Sequence, residues 1–195
     1  MTVSKLLSVI FCLALCCALS APAAMASEGN QATKVTFNQS VEVPGRVLAG
    51  RTYWFTVMRD DRDQNIVQIW NADRTELLAT ILTVPDYRLE PKGRTVIKFE
   101  ERPSSQPPTL QAWFYPGDNY GHEFVYPEAR AKELAKRIGR PVLSMRDELV
   151  SNIAKPAKSA KEPSVMAMKQ AHVQAVNPSG QEISMAKVVQ QKPQK

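Results

Sequence analysis

The sequence predicts a mainly β protein: an antiparallel two-layer β-sandwich of about seven strands, with a C-terminal helix and a disordered tail. Three observations predict this fold class. Between residues 34 and 127, β-branched and aromatic residues concentrate in short runs, Gly, Pro, Asp and Asn separate the runs, and no segment with helical periodicity intervenes. Strands that follow one another without crossover helices pair mostly antiparallel.

Residues 1–26 have the organisation of a signal peptide. A basic Lys5 precedes an apolar run at residues 6–19, and Ala24-Met25-Ala26 matches an A-x-A cleavage site. The apolar run is shorter than the stretch of about 20 residues that a membrane-spanning helix needs. We therefore expect an exported protein, periplasmic or secreted, with no transmembrane anchor after cleavage.

All three cysteines, Cys12, Cys16 and Cys17, lie inside this signal. Cleavage would leave a mature protein without a disulfide, a thiolate nucleophile or a thiolate metal ligand. A lipoprotein anchor is the alternative, but it needs a small residue before the acylated cysteine, and Leu15 precedes Cys16.

The β-sandwich domain is predicted at residues 34–127. Its strands are expected at Val35–Val43, Arg51–Met58, Ile66–Asn71, Glu76–Thr83, Thr95–Glu101, Leu110–Tyr115 and His122–Tyr126. Ile66–Trp70 and Leu77–Leu82 are apolar at nearly every position. Such strands lie in the middle of a sheet that is covered on each side, which favours a sandwich over a single open sheet.

The sequence of residues 128–153 predicts a helical appendage that lies on the sandwich. Apolar side chains recur at the i, i+3, i+4 and i+7 positions of one face of Glu128–Ile138, and Gly139 suits its end. A second short helix is expected to begin at Ser144, because Asp147 three residues later gives a loose capping box.

Residues 154–195 are rich in Lys, Pro, Gln, Ala and Ser, with scattered Val and Met but no sustained period. Such a segment buries too little apolar surface to offset its chain entropy, so a disordered basic tail is predicted. Removing it should then hardly change the stability of the domain. The alternative is a segment that folds on a partner around Val165–Met168 or Ile183–Val189.

The positive charge also lies in this C-terminal segment. Residues 27–150 carry 17 Lys and Arg against 17 Asp and Glu, whereas residues 151–195 carry 7 Lys against 2 Glu. Nucleic-acid-binding proteins place basic side chains on a folded face beside stacking aromatic residues. No aromatic residue follows Tyr126. The distribution therefore argues against a nucleic-acid partner.

The titratable residues offer little catalytic equipment. His122 and His172 are the only histidines, no nucleophile elbow occurs, and the acidic run at residues 60–65 lacks the glycine and glutamate that follow in an EF-hand. We predict no catalytic residue, no metal site and no cofactor. A hydrolase or other enzyme that uses Asp118, His122 and Glu123 is the alternative.

Residues 112–127 read as two aromatic strands joined by a polar turn, and they hold six of the chain's aromatic residues. The candidate ligand-binding residues are Trp113, Tyr115, Asp118, Asn119, Tyr120 and His122. Aromatic and amide groups together suit stacking on sugar rings or holding a peptide, so an envelope glycan or a peptide is the expected partner. The competing interpretation assigns Trp113 and Phe114 to the core, because aromatic residues in strands usually pack.

Three segments carry a resemblance: VEVPGRVLAGxTYWF at residues 41–55, NADRT at 71–75 and WFYPGDNYGxEFVYP at 113–127. They resemble a family of uncharacterised exported bacterial proteins over about residues 37–127. The resemblance implies export and one β-rich domain, and it adds no chemistry. The sequence thus predicts a bacterial exported protein that acts as a non-catalytic binding or structural module, with its oligomeric state left open.

Overall fold

The computed structural model describes residues 31–58, 65–100, 106–149 and 156–186, together with residue 188. In this part of the chain, a large sheet and a small sheet are accompanied by two α-helices. None of the helices in these ranges is long and apolar enough to cross a membrane. The predicted signal peptide at residues 1–26 lies outside the described residues.

Nine strands form the large sheet. They are β1 (Ala32–Thr36), β2 (Val41–Val43), β3 (Arg46–Leu48), β4 (Thr52–Val57), β5 (Ile66–Asn71), β6 (Leu77–Tyr87), β7 (Val96–Glu100), β8 (Thr109–Phe114) and β9 (Tyr120–Phe124). Their order is β1-β4-β5-β6-β9-β8-β2-β3, and β7 pairs with β8. The pairs are antiparallel, except that β2 lies parallel to β8 at Glu42 and Thr109.

The mainly β class is therefore confirmed, with more and shorter strands than predicted. The strand expected at Val35–Val43 is divided into β1 and β2, because the chain bends at Asn38 and Gln39. Strand β6 continues four residues past its expected end at Thr83, through Pro85, to Tyr87.

The large sheet curls on itself without closing. Phe37, just after β1, contacts Phe99 on β7 with ring centroids 6.2 Å apart, although β1 and β7 lie far apart in the sheet order. Arg46 on β3 likewise donates a hydrogen bond to the carbonyl of Leu78 on β6. The two ends of the sheet thus face each other across a core, in a sandwich-like arrangement.

The hydrophobic core inside this curl is called here the inner cluster. Phe55 lies at its centre, with ring centroids 5.9 Å from Trp113 and 6.5 Å from Phe124. Six buried aromatic residues belong to the cluster: Phe37, Tyr53, Phe55, Trp113, Phe124 and Tyr126. Large rigid side chains therefore fill the inside of the sheet.

Strands β5 and β6 are covered on both faces, as their sequences predict. Because side chains alternate along a strand, Val67 and Ile69 enter the inner cluster, while Ile66 enters a second core on the opposite face. This second core is called the outer cluster. Its buried members are Met58, Ile66, Leu82, Val125, Leu143, Met145, Ala157, Val165, Met168, Ala175 and Val188.

The small sheet is built from the C-terminal part of the chain. Its strands are β10 (Tyr126–Pro127), β11 (Val142–Met145), β12 (Gln174–Val176) and β13 (Glu182–Ile183), in that order. Helix α1 (Glu128–Ile138) connects β10 to β11, and helix α2 (Pro163–Lys169) precedes β12.

Helix α1 has the bounds that the sequence predicts, and Gly139 ends it in the left-handed conformation at φ 70°. Its buried face packs into the inner cluster through Ala131, Leu134 and Ala135. On its polar side, Arg130 binds the Glu42 carboxylate of β2 in a bidentate pair, with N–O distances of 2.6 and 2.7 Å. The helix is thus tied to the large sheet by packing and by charge.

The short helix predicted to begin at Ser144 begins three residues later, as a 3₁₀ turn at Asp147–Leu149, because Ser144 itself lies in strand β11. Asp147 instead accepts a hydrogen bond, 3.1 Å long, from the backbone N–H of Ala129 in the first turn of α1. The acidic side chain therefore stabilises the start of α1 and not the start of its own segment.

The tail also differs from the sequence prediction, because residues 156–186 contain α2, β12 and β13. Val165 and Met168 of α2 are fully buried in the outer cluster. Ala157 is fixed by side chains of the large sheet: its N–H donates to Thr80 Oγ1 and its C=O accepts from Thr80 Oγ1, both at 2.9 Å. Gln68 Nε2 donates to the same carbonyl at 2.8 Å.

Candidate functional site

The candidate site is the end of the β8–β9 hairpin, where the inner cluster reaches solvent. Gly117 supplies the positive φ of 86° that the turn requires. Gly121 is needed for another reason: a Cβ there would lie 2.5 Å from Cδ1 of Phe114. The ring of Phe114 therefore lies directly against the backbone of β9.

Arg88, just after β6, holds the hairpin turn. Its Nε and Nη2 donate to the carbonyl of Asp118 at 3.0 and 2.6 Å, and its backbone N–H donates to the carbonyl of Asn119 at 2.9 Å. Its guanidinium also lies 4.8 Å from the ring centroid of Phe114. These contacts fix the turn against the end of β6.

The structure places the six predicted site residues at this one end of the sheet but divides them by exposure. Trp113 and His122 are buried and stack on each other, with ring centroids 5.3 Å apart. Tyr115 is half-buried and packs against the inner cluster. Asn119 is exposed, and Asp118 and Tyr120 are half-buried. Only the turn end of the hairpin therefore faces solvent.

His122 has hydrogen-bond partners at both ring nitrogens. Nδ1 lies 3.2 Å from Thr83 Oγ1, and Nε2 lies 3.1 Å from Gln31 Oε1, while Gln31 Nε2 donates to Asp118 Oδ2 at 2.8 Å. Burial lowers the pKa of His122 to about 4, so the ring is neutral at pH 7. Because the Gln31 oxygen must accept, we assign the proton to Nε2. The single hydroxyl hydrogen of Thr83 has two acceptors, Nδ1 and the carbonyl of Asn65 at 2.9 Å, and it is donated to only one of them at a time.

This arrangement disfavours the enzyme alternative. Nε2 carries the proton and Nδ1 is buried against Thr83, so neither nitrogen is placed to take a proton from a substrate. Adjacent residues on a strand point to opposite faces, so His122 and Glu123 cannot act on one substrate atom. Asp118 is joined to His122 through Gln31, which makes the group a support for the turn.

The exposed part of the site is called here the hairpin rim and consists of Tyr87, Leu89, Asn119 and Tyr120. The side chains of Tyr87 and Leu89 are 68% and 74% exposed. Tyr87 is opposite Tyr120 in the β6–β9 pairing, and their rings meet edge to face with centroids 5.7 Å apart. The rim is thus an aromatic pair beside a polar turn.

Sequence reasoning missed Tyr87, Arg88 and Gln31. Pro85 suggested that β6 ends at Thr83, whereas the strand continues to Tyr87. An extension of the alternating pattern past Pro85 could have identified Tyr87. No local signal joins Gln31 to residues about ninety positions further along the chain.

The described ranges contain no group of three or more His, Cys, Asp or Glu side chains that could hold a metal ion. No family model, no curated protein and no solved structure matches this chain. The resemblance to exported bacterial proteins therefore stays a prediction.

Proposed function

We propose that this is an exported, non-catalytic binding module whose hairpin rim recognises a glycan of the cell envelope. The observation that carries the proposal is the exposed Tyr87 ring held edge to face against Tyr120. Exposed aromatic rings beside polar groups are suited to sugars, which present apolar C–H faces and hydroxyl edges.

The rim is also held in place before a ligand arrives. Arg88 fixes the carbonyl groups of Asp118 and Asn119, and the ring of His122 supports Tyr120 edge to face at 5.3 Å. A fixed site loses less conformational entropy on binding than a mobile loop does. Asn119 is left exposed, and its amide can both donate and accept hydrogen bonds.

A glycan array and a peptide array test the proposal with the wild type and with Tyr87→Ala and Tyr120→Ala. We expect binding to glycans by the wild type and at least about a fivefold loss in each variant, because a lost stacking contact is worth about 1 kcal/mol or more. Tyr87→Phe should keep the stacking and most of the binding. Leu89→Ala, which removes an exposed aliphatic group, is the matched control.

If both alanine variants retained glycan binding, the hairpin rim would not be the glycan-binding site. Binding only to peptides, with Leu89→Ala as damaging as Tyr87→Ala, would replace the glycan by an apolar peptide. Hydrolysis of an array compound by wild type but not by His122→Ala would favour the enzyme alternative.

Export is tested separately by the mass of the mature protein. Cleavage after Ala26 predicts a chain that begins at Ser27 and has no thiol that reacts with a maleimide. A diacylated Cys16 or Cys17 would show a lipoprotein, and an uncleaved chain would contradict the signal.

A further inference from the structure

A cleft opens where the curled large sheet fails to close. It is bordered by β3, the start of β4 and the turn between β5 and β6, and its volume is about 670 Å³. This volume is in the range of sites that hold small ligands. The side chains that matter for its chemistry are Arg46, Val47, Arg51, Tyr53, Asp73 and Glu76.

Strand β3 presents a free edge to the cleft. Within the described part of the chain, β3 is last in the sheet order and pairs with β2 alone. Val43 and Arg46 flank the two-residue turn and face each other as a hydrogen-bonded pair, so the N–H and C=O of Val47 point away from β2. The Val47 side chain is 58% exposed. Such an edge can accept an extended peptide as an added strand.

Two positive charges stand beside this edge. Arg46 and Arg51 both line the cleft beside Tyr53. Burial raises the pKa of Tyr53, and the charges of Arg51 and Arg46 oppose the rise. Neither guanidinium forms an ion pair with a carboxylate among the described residues. Arginine pairs well with carboxylates because its planar N–H groups match both oxygens.

The cleft is also lined by the carboxylates of Asp73 and Glu76, which are exposed. The four charges around the cleft therefore cancel, and the two carboxylates repel a polyanion. A strand of peptide with one carboxylate meets both requirements: its backbone can pair with Val47, and its one charge can pair with Arg46 and Arg51.

We propose that the cleft binds an extended peptide that adds to the β3 edge and places one carboxylate between Arg46 and Arg51. The carboxylate comes from an acidic side chain or from a free C-terminus, and the two sources are distinguished by the peptides used below. This site is separate from the hairpin rim and does not depend on the glycan proposal.

The test is a titration of the ¹⁵N-labelled mature chain with three synthetic peptides, followed by NMR of the backbone amides. The peptides are acetyl-Ser-Thr-Val-Thr-Ser-Glu-amide, acetyl-Ser-Thr-Val-Thr-Ser with a free carboxylate, and the amide with Gln in place of Glu. We expect saturable shifts of the Val47 amide with at least one acid and binding at least about tenfold weaker with the Gln peptide.

Variants distinguish edge pairing from charge. Arg51→Gln should weaken binding of the acidic peptide by about tenfold, whereas Arg74→Gln should not, because Arg74 is stacked on Trp54 at 3.7 Å and does not line the cleft. Val47→Pro should abolish binding by removing the edge N–H, and binding to that variant is measured by the shifts of the Arg46 and Leu48 amides. Val47→Thr keeps the N–H and should retain binding.

Three outcomes would overturn the proposal. One is the absence of a saturable Val47 shift with any peptide at about 10 mM, well above the millimolar range of weak complexes. Another is equal binding of the Glu and Gln peptides. The third is a set of shifts confined to the hairpin rim, which would assign peptide binding to that surface.

Discussion

The two faces of β5 and β6 are covered by cores of different composition. The inner cluster holds six buried aromatic residues, whereas the buried members of the outer cluster are aliphatic residues, alanines and three methionines, Met58, Met145 and Met168. Aromatic rings pack with defined geometry, while methionine adapts to irregular gaps. The large sheet and helix α1 therefore form most of the aromatic inner core, whereas segments that follow α1 cover the outer face.

The largest expected effect is in the inner cluster. Trp113→Ala should lower the free energy of unfolding by about 3 to 5 kcal/mol, because Trp113 is fully buried and a cavity would remain. Its Nε1 has no hydrogen-bond partner among the described residues, so Trp113→Phe should cost less. Urea unfolding of both variants is the measurement. If both variants lost the same small amount of unfolding free energy, the packing of the Trp113 ring would not stabilise the core.

A buried titratable residue, His122, lies against Trp113 of the inner cluster. The buried polar residues beside the outer cluster, Gln68 and Thr80, do not titrate. The pKa of His122 is about 4 when folded and about 6.5 when unfolded, so unfolding takes up a proton between these pH values. Stability is full above about pH 6.5 and falls by about 3 kcal/mol as the pH approaches 4.

Urea unfolding from pH 4 to 7.5 would measure this dependence. His122→Gln should flatten the curve relative to the wild type, and the exposed His172→Gln should leave it unchanged. Parallel curves for wild type and His122→Gln would show that His122 does not control the acid sensitivity.

The outer cluster is tested within one short helix. Met168 is fully buried and Met166 is 50% exposed, so Met168→Ala should cost about 2 to 3 kcal/mol and Met166→Ala no more than about 0.5. A disordered tail, as the sequence predicts, would make both substitutions neutral. Thermal and urea unfolding of the pair therefore decide between the docked tail and the disordered one.

The smallest expected effect concerns the polar contact beneath the tail. Thr80→Val removes both hydrogen bonds to Ala157 while keeping the side-chain shape, and we expect a loss of about 1 to 3 kcal/mol. Thr36→Val, at an exposed position, serves as the control. Stability unchanged by Thr80→Val would mean that this contact does not hold the tail.

The predictability of each element follows from where its partners lie. Glu128–Ile138 and Ile66–Asn71 have the predicted bounds, because period and composition within each segment specify them. The docked tail has no such pattern. Val165, Met168 and Ala175 are buried only because an apolar sheet face that belongs to a distant segment covers them.

The candidate site divides in the same way. The turn end, with Asn119 and Tyr120, was predictable from turn residues and aromatic strands. The burial of Trp113 agrees with the interpretation that assigned it to the core, because aromatic residues in strands usually pack. The burial of His122 depends on the curl of the whole sheet, and so does the cleft beside Arg51. The amino-acid composition of the strands does not specify how far the sheet curls, so these features could not be predicted.

The contact of Thr80 with Ala157 joins residues 77 positions apart, and it is broken whenever the tail leaves the sheet. The outer face of the sheet is then uncovered. In that state Gln68 and Thr80 interrupt an otherwise apolar surface and limit its association with other chains, as gatekeeper residues do. The two side chains that hold Ala157 in the native protein therefore also protect the chain while the tail is not docked.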